Sequence, residues 1–144
     1  MSLTQERLEK IVRDLFIGVF SQKNFDLIDS LLSEDAIIYT GRKEVKGRNK
    51  IKDLIIARSQ AIPDFQFTLD DVLTNGNKVA IRWHATGHVI QNIAGFQKGH
   101  VADYWGVSMW EINEEGYIIK DWYNSSTVDI FGSITSDEVR EKML

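Results

Sequence analysis

Between Tyr104 and Tyr123 the chain reads Tyr-Trp-Gly-Val-Ser-Met-Trp-Glu-Ile-Asn-Glu-Glu-Gly-Tyr-Ile-Ile-Lys-Asp-Trp-Tyr, and this stretch limits the possible folds more than any other. Its aromatic and β-branched residues predict two strands, joined by the short polar turn Asn113-Glu114-Glu115-Gly116. Three of the four tryptophans lie here, Trp105, Trp110 and Trp122, so both faces of the hairpin are apolar. Such a hairpin left open would aggregate, so one face must close a core or pocket and the other must meet a partner.

At 144 residues the chain is long enough for one domain with a real core. Net charge is −4 and no Lys/Arg cluster is interleaved with aromatics, which argues against nucleic acid. Cysteine is absent, which excludes disulfides, thiolate metal sites and a cysteine nucleophile. No apolar run approaches the roughly 20 residues of a membrane span, and charge begins at Glu6. No membrane partner and no signal peptide are therefore expected, with the cytoplasm as the default compartment.

The N-terminal part has helical periodicity. Leu8, Ile11, Val12, Leu15, Phe16, Val19 and Phe20 follow 3,4 spacing and predict a helix over about 4–21, with Ser2 and Gln5 as its capping box. Asn24 is placed to cap a second, short helix carrying Phe25, Ile28, Leu31 and Leu32. A strand, Ala36-Ile37-Ile38-Tyr39, and a loop or small hairpin through Gly47 come next. A third helix then turns Ile51, Leu54, Ile55 and Ile62 inward and stops at Pro63. From Phe65 the period becomes 2. The strand from Lys78 to Val89 puts Val79, Ile81, Trp83 and Ala85 on one face and Arg82, His84, Thr86 and His88 on the other. A terminal helix with Thr135 and Glu138 ends the chain. Helices followed by consecutive antiparallel strands predict an α+β fold, a single domain over 1–144 with three N-terminal helices on a curved, mainly antiparallel sheet.

The order of elements resembles the nuclear transport factor 2-like cone, and within it the SnoaL-like polyketide cyclase family. The residues that carry the resemblance are Asn24-Phe25-Asp26, Glu34-Asp35-Ala36, Gly47-Arg48, Ile62-Pro63-Asp64-Phe65, Asp70-Asp71-Val72, Val79 to Gly87, Gly106, and Gly116 to Trp122. The resemblance implies a cone that binds a small apolar molecule, polycyclic ones included, and cofactor-free acid/base chemistry of the cyclase or isomerase type. It also implies that catalytic groups be checked position by position. Those of ketosteroid isomerase-like members fall on Phe16, Thr40 and Ser108. Those of the polyketide cyclases fall on Tyr123 and Ser108, and a frequent Asp of relatives falls on Ser126. None of these positions retains the acid. A non-catalytic ligand-binding or dimeric association domain on the same fold therefore stays open.

If Ile112 stands opposite Tyr117, strand pairing puts Ser108 opposite Asp121, Gly106 opposite Tyr123 and Tyr104 opposite Ser125. Trp83 then belongs near Gly106, where a missing side chain leaves room. The expected inner wall is Trp83, Tyr104, Ser108, Trp110, Asp121 and Tyr123, with Phe16 and Tyr39 as further ligand-binding candidates. Asp121 is the catalytic candidate, because a carboxylate among aromatic rings loses solvation and its pKa rises. Read as structure alone, it is a hydrogen-bonded core carboxylate or a carboxylate that lies outward in water. His84 and His88 are about 13 Å apart along a strand, too far to share an ion, so no metal and no cofactor is expected. Asp64, Asp70 and Asp71 read as turn and strand-edge residues. Trp105, Val107, Met109 and Trp122 fall on the outer face and predict a homodimer that buries them.

Overall fold

The structure, a computed structural model, describes residues 3–39, 44–93 and 95–126. Ser2, Thr40 and the expected terminal helix with Thr135 and Glu138 lie outside them. Helix α1 (Gln5–Arg13) is capped by Thr4, whose hydroxyl accepts from the Arg7 backbone N–H at 3.1 Å. It runs directly into a π-helical segment, Asp14–Ser21. The expected apolar stripe is buried from Leu8 to Val19, and Phe20 packs on its edge. A single 3₁₀ turn (Phe25–Leu27) leads into α2 (Ile28–Leu31), and β1 (Leu32–Tyr39) starts at once. A short β2 (Glu44–Lys46) pairs antiparallel to β1 before α3 (Arg48–Ala61).

Helix α3 departs from expectation. Ile51, Ile55 and Ile62 are buried, but Leu54 is 50% exposed. The row 51, 55, 58, 62 faces the sheet, a 4,3,4 spacing that places Arg58 where an apolar residue was anticipated. Leu54 and Arg58 both fit a helical phase shared with Ile51 and Ile55, and packing against the sheet selected the second.

Strands β3 (Gln66–Asn75), β4 (Lys78–His88), β5 (Val101–Ile112) and β6 (Ile118–Ser125) complete a six-stranded sheet of order β2-β1-β6-β5-β4-β3. Among the described residues only the β1–β6 contact is parallel. The fold is thus α+β, with helices on one face of a curved sheet. Between β4 and β5 the register is unbroken from Lys78↔Glu111 to His88↔Val101.

The β5–β6 register differs from the expected one. Asn113 closes the turn by accepting from the Glu115 and Tyr117 N–H groups, which sets Ile112 opposite Ile118 instead of Tyr117. Ile119 then bulges, and beyond it Trp110 pairs with Asp121, Ser108 with Tyr123 and Gly106 with Ser125. One residue at the turn and one at the bulge make a shift of two. Because side chains alternate with period 2, the residues from Lys120 onward keep their faces while their partners change, and Ile118 takes the inner position expected of Tyr117.

Candidate functional site on the inner face of the sheet

Trp83 is the centre of the wall. It lies opposite Gly106, where an added Cβ would sit 2.2 Å from Trp83 Cζ2 and 2.6 Å from the Asn124 carbonyl oxygen. The indole needs that gap to lie flat against β5. Its N–H donates to Ser108 Oγ at 3.1 Å, satisfying both groups in a fully buried position. Tyr123 stacks on the ring at 5.7 Å and 15°, and Tyr104 meets it edge-on at 5.6 Å and 82°. Burial pushes the Tyr104 phenol up; Arg58 opposes the rise and Tyr123 adds to it, so Tyr104 remains a hydrogen-bond donor at neutral pH.

A second aromatic layer comes from the helices. Phe16 stacks on Trp110 at 5.0 Å and 9°, with Phe20 and Phe67 around it. Phe16 is itself buried, so it fills the interior instead of lining an open surface. Two surface depressions stand out among the described residues, about 540 Å³ beside Thr4, Gln5, Glu6 and Glu9, and about 320 Å³ beside Asn92, Ile93, Gly95, Phe96 and Gln97. Neither reaches Asp121. The second adjoins the wall through Phe96, 5.5 Å from Tyr104.

Asp121 is opposite Trp110. Part of the residue's surface reaches solvent, but its Oδ1 is sealed and has no hydrogen-bond partner among the described residues. Desolvation pushes its pKa up to about 7, partly offset by the Trp110 N–H and by the positive charge of Arg58. Trp110 Nε1 is buried too, and the Asp121 carboxylate is the group it acts on, with no other partner among the described residues. A carboxyl poised near neutrality and a buried indole N–H that acts on it therefore stand side by side.

Against this geometry, the model of the SnoaL-like domain matches residues 12–120, well over half the chain. The chain belongs to the SnoaL-like family. Solved structures similar to this SnoaL-like protein include a candidate SnoaL-like polyketide cyclase from Jannaschia sp. CCS1. Identity there is 15% and the TM-score 0.79, over 94% of this chain and 98% of that one. IdmH, a candidate polyketide cyclase from Streptomyces antibioticus, shares 20% identity at TM-score 0.70 over 87% and 96%. An LEH-like epoxide hydrolase from M. tuberculosis shares 14% at TM-score 0.71 over 88% of each chain. These likenesses establish the fold. No curated protein matches the sequence.

The SnoaL-like wall brings Trp83, Tyr104, Ser108, Trp110, Asp121 and Tyr123 to one face, as the alternation of strands implied. Two expectations need correction. Ser108 is bonded to Trp83 and paired with Tyr123, so it is not the cross-strand neighbour of Asp121. Tyr39 lies on the outer face, stacked on Trp122 at 5.3 Å and 13°, because its parallel pairing with Trp122 turns Ile38 inward instead. Asp64 also does more than shape a turn. Its carboxylate accepts from the His88 backbone N–H at 2.7 Å and meets the ring Nδ1 at 2.5 Å, interactions that lower its pKa. His84 pairs with Asp103 on the outer face. No three metal-ligating side chains converge among the described residues.

Arg58 is the wall residue that sequence reasoning missed. Its guanidinium carbon lies 4.6, 5.0 and 5.4 Å from the ring centroids of Phe20, Phe65 and Phe67. The available signal was the 4,3,4 spacing from Ile51.

Proposed function

We propose that this SnoaL-like protein binds a small, mainly apolar molecule against its aromatic wall and performs cofactor-free acid/base chemistry on it, with Asp121 carrying the proton. One observation supports this above the others: a sealed carboxylate of pKa about 7 beside a buried indole N–H that has no other partner among the described residues. Native interiors pair nearly all their buried polar atoms, and exceptions concentrate where a ligand completes the set. A ligand oxygen accepting from Trp110 would leave Asp121 placed to take or give a proton on the adjacent atom. Tyr104 and Tyr123 are the further donors within the wall. The resemblance to candidate polyketide cyclases and an epoxide hydrolase is consistent with substrates of this apolar, oxygen-bearing kind.

The non-catalytic reading draws on a different observation, the stacking of Phe16 on Trp110, which fills the interior beside Asp121. The two readings separate on one residue. For the catalytic reading, the Asp121 carboxyl titrates near pH 7 by carbon-detected NMR, and Asp121→Asn lowers turnover of polyketide-like ketones or epoxides by about 100-fold or more. A carboxyl titrating near the ordinary value of about 3.9, with Asp121→Asn as active as wild type, would remove Asp121 from the chemistry. Self-association belongs to the same proposal. Trp105, Val107 and Met109 are 57%, 46% and 38% exposed in a row on the outer face, and a second copy would cover them.

A further inference from the structure

The first helix changes character where it reaches the inner face. From Asp14 to Ser21 its backbone is π-helical, and the bond that ends the segment, Gln22 N–H to the Ile17 carbonyl at 2.8 Å, spans five residues. The next bond, Lys23 N–H to the Val19 carbonyl at 3.0 Å, spans four again. Wide turns of this kind are rare in helices and gather at functional sites. Both ends of the segment are tied, the first by α1 and the last by Ser21, whose Oγ accepts from the Phe67 backbone N–H at 2.9 Å. Gly18, a poor helix former, lies inside it. The segment is therefore anchored at its ends and weakest in the middle. Phe16 is the fully buried ring it carries.

Phe16 stands where a ligand of the inner face has to lie. Its ring is parallel to Trp110, at 5.0 Å and 9°, whereas Phe20 and Phe67 meet it at 81° and 62°. Trp110 Nε1 and, on the neighbouring strand, Asp121 Oδ1 are sealed without a hydrogen-bond partner among the described residues. Neither surface depression reaches them. An interior closed over two unmet polar atoms is costly, and the cost falls when a molecule with a polar edge replaces an apolar filler. Phe16 is the filler of matching shape, because a flat ring on the same indole face keeps the stacking contact.

We propose that Phe16 is a gate: a planar ring of the ligand replaces it on the face of Trp110, with an oxygen-bearing edge toward Asp121. This rests on the reading of the inner face as a small-molecule site, and it narrows the ligand to a flat ring that bears a carbonyl or hydroxyl oxygen. Opening requires no unfolding. If the wide turn moves along the helix, each side chain it passes rotates by about 100°, one residue's share of an α-helical turn, while the Thr4 cap and the Ser21 anchor stay in place. Wild type then binds with an affinity reduced by the fraction of molecules that are open, and loss of the Phe16 ring lifts that reduction.

The test titrates acetophenone, labelled with carbon-13 at its carbonyl, into wild type and Phe16→Ala at about pH 6, where the Asp121 carboxyl is largely protonated and able to donate. Protein amide and indole signals report affinity, location and the integrity of the fold. Phe16→Ala is expected to bind about tenfold or more tighter than wild type. In both proteins the Trp110 indole N–H signal should move, and in wild type the amides of Asp14–Ser21 should move with it. The bound carbonyl carbon should stay at or downfield of its position in water, as an oxygen that accepts a hydrogen bond does. A carbonyl signal at its apolar-solvent position in Phe16→Ala would mean that an engineered void had simply filled, and overturns the assignment. Equal affinities, a Trp110 signal that never moves, or binding by Phe16→Ala alone overturns the gate and leaves the small-molecule reading intact. Binding by neither protein overturns both. Where Phe16→Ala does not fold, Phe16→Leu decides, since it removes the flat ring and keeps most of the volume; acetophenone affinity unchanged by that substitution also overturns the gate.

Discussion

The two faces of β5 come from the same twelve residues and have opposite fates. Ala102, Tyr104, Gly106, Ser108, Trp110 and Ile112 are buried, while Val101, Trp105, Val107 and Met109 are exposed. Both sets contain a tryptophan and aliphatic or aromatic companions, so hydrophobicity does not separate them. Cover does, since the helices pack on one side only. The treatment of polar groups separates them too. On the outer face His84 meets Asp103, and Arg82 meets Asp71 at 2.7 Å, pairs in water that contribute little individually. On the inner face, Asp121 Oδ1 and Trp110 Nε1 are buried without a hydrogen-bond partner among the described residues. Unmet polar groups are costly where they are buried, and that is where this protein keeps them.

The largest break in this comparison is expected from Gly106→Val. Its side chain must enter space held by the Trp83 ring and the Asn124 carbonyl. Neither can retreat, one being the centre of the wall and the other backbone. A loss above about 3 kcal/mol is expected, seen as a missing or sharply lowered thermal transition. A variant that melts within a few degrees of wild type would show that the inner face is less tightly filled than the distances imply.

Asp121→Asn sharpens the same contrast through pH. With a folded-state pKa of about 7 against an unfolded value of about 3.9, the folded protein retains a proton that the unfolded chain releases between those limits. Stability from this group is therefore full below about pH 4 and declines as pH rises towards 7. Asparagine escapes that decline. Asp121→Asn should match wild type in chemical denaturation near pH 4 and exceed it at about pH 8, by an amount on the order of a few kcal/mol. Equal stability at both pH values would mean that the carboxylate is solvated after all.

The smallest effect on folding belongs to the outer face. Trp105→Glu places a charge on a residue already in water, so the free energy of the monomer should move by less than about 0.5 kcal/mol. Its assembly should change completely, from a dimer in the wild type to a monomer by light scattering. A wild-type protein that stays at the monomer mass at micromolar concentration would remove the second copy from the outer face.

Much of the wall is legible in the amino-acid order alone. The alternation in β4 and β5 points Trp83, Tyr104, Ser108 and Trp110 inward and Trp105, Val107 and Met109 outward. The gap at Gly106 matches the bulk of Trp83. Those readings hold because the direction of a side chain in a strand depends on period 2, a property of the local backbone. The pairing of Ser108 with Trp83, and of Asp121 with Trp110, is not legible there. The Asn113 turn and the Ile119 bulge shift partners by two residues and leave Asp121 and Tyr123 on the expected face. Tyr39 was misplaced for a related reason: its direction follows from parallel pairing with β6, more than seventy positions along the chain in the sequence. Arg58 was hidden by an ambiguity of helical phase that only the sheet beneath α3 resolves. Local periodicity determined which way most of these side chains point. Contacts between distant segments decided which groups meet, because burial, the pKa of Asp121 and the aromatic cradle of Arg58 exist only once those segments are packed together.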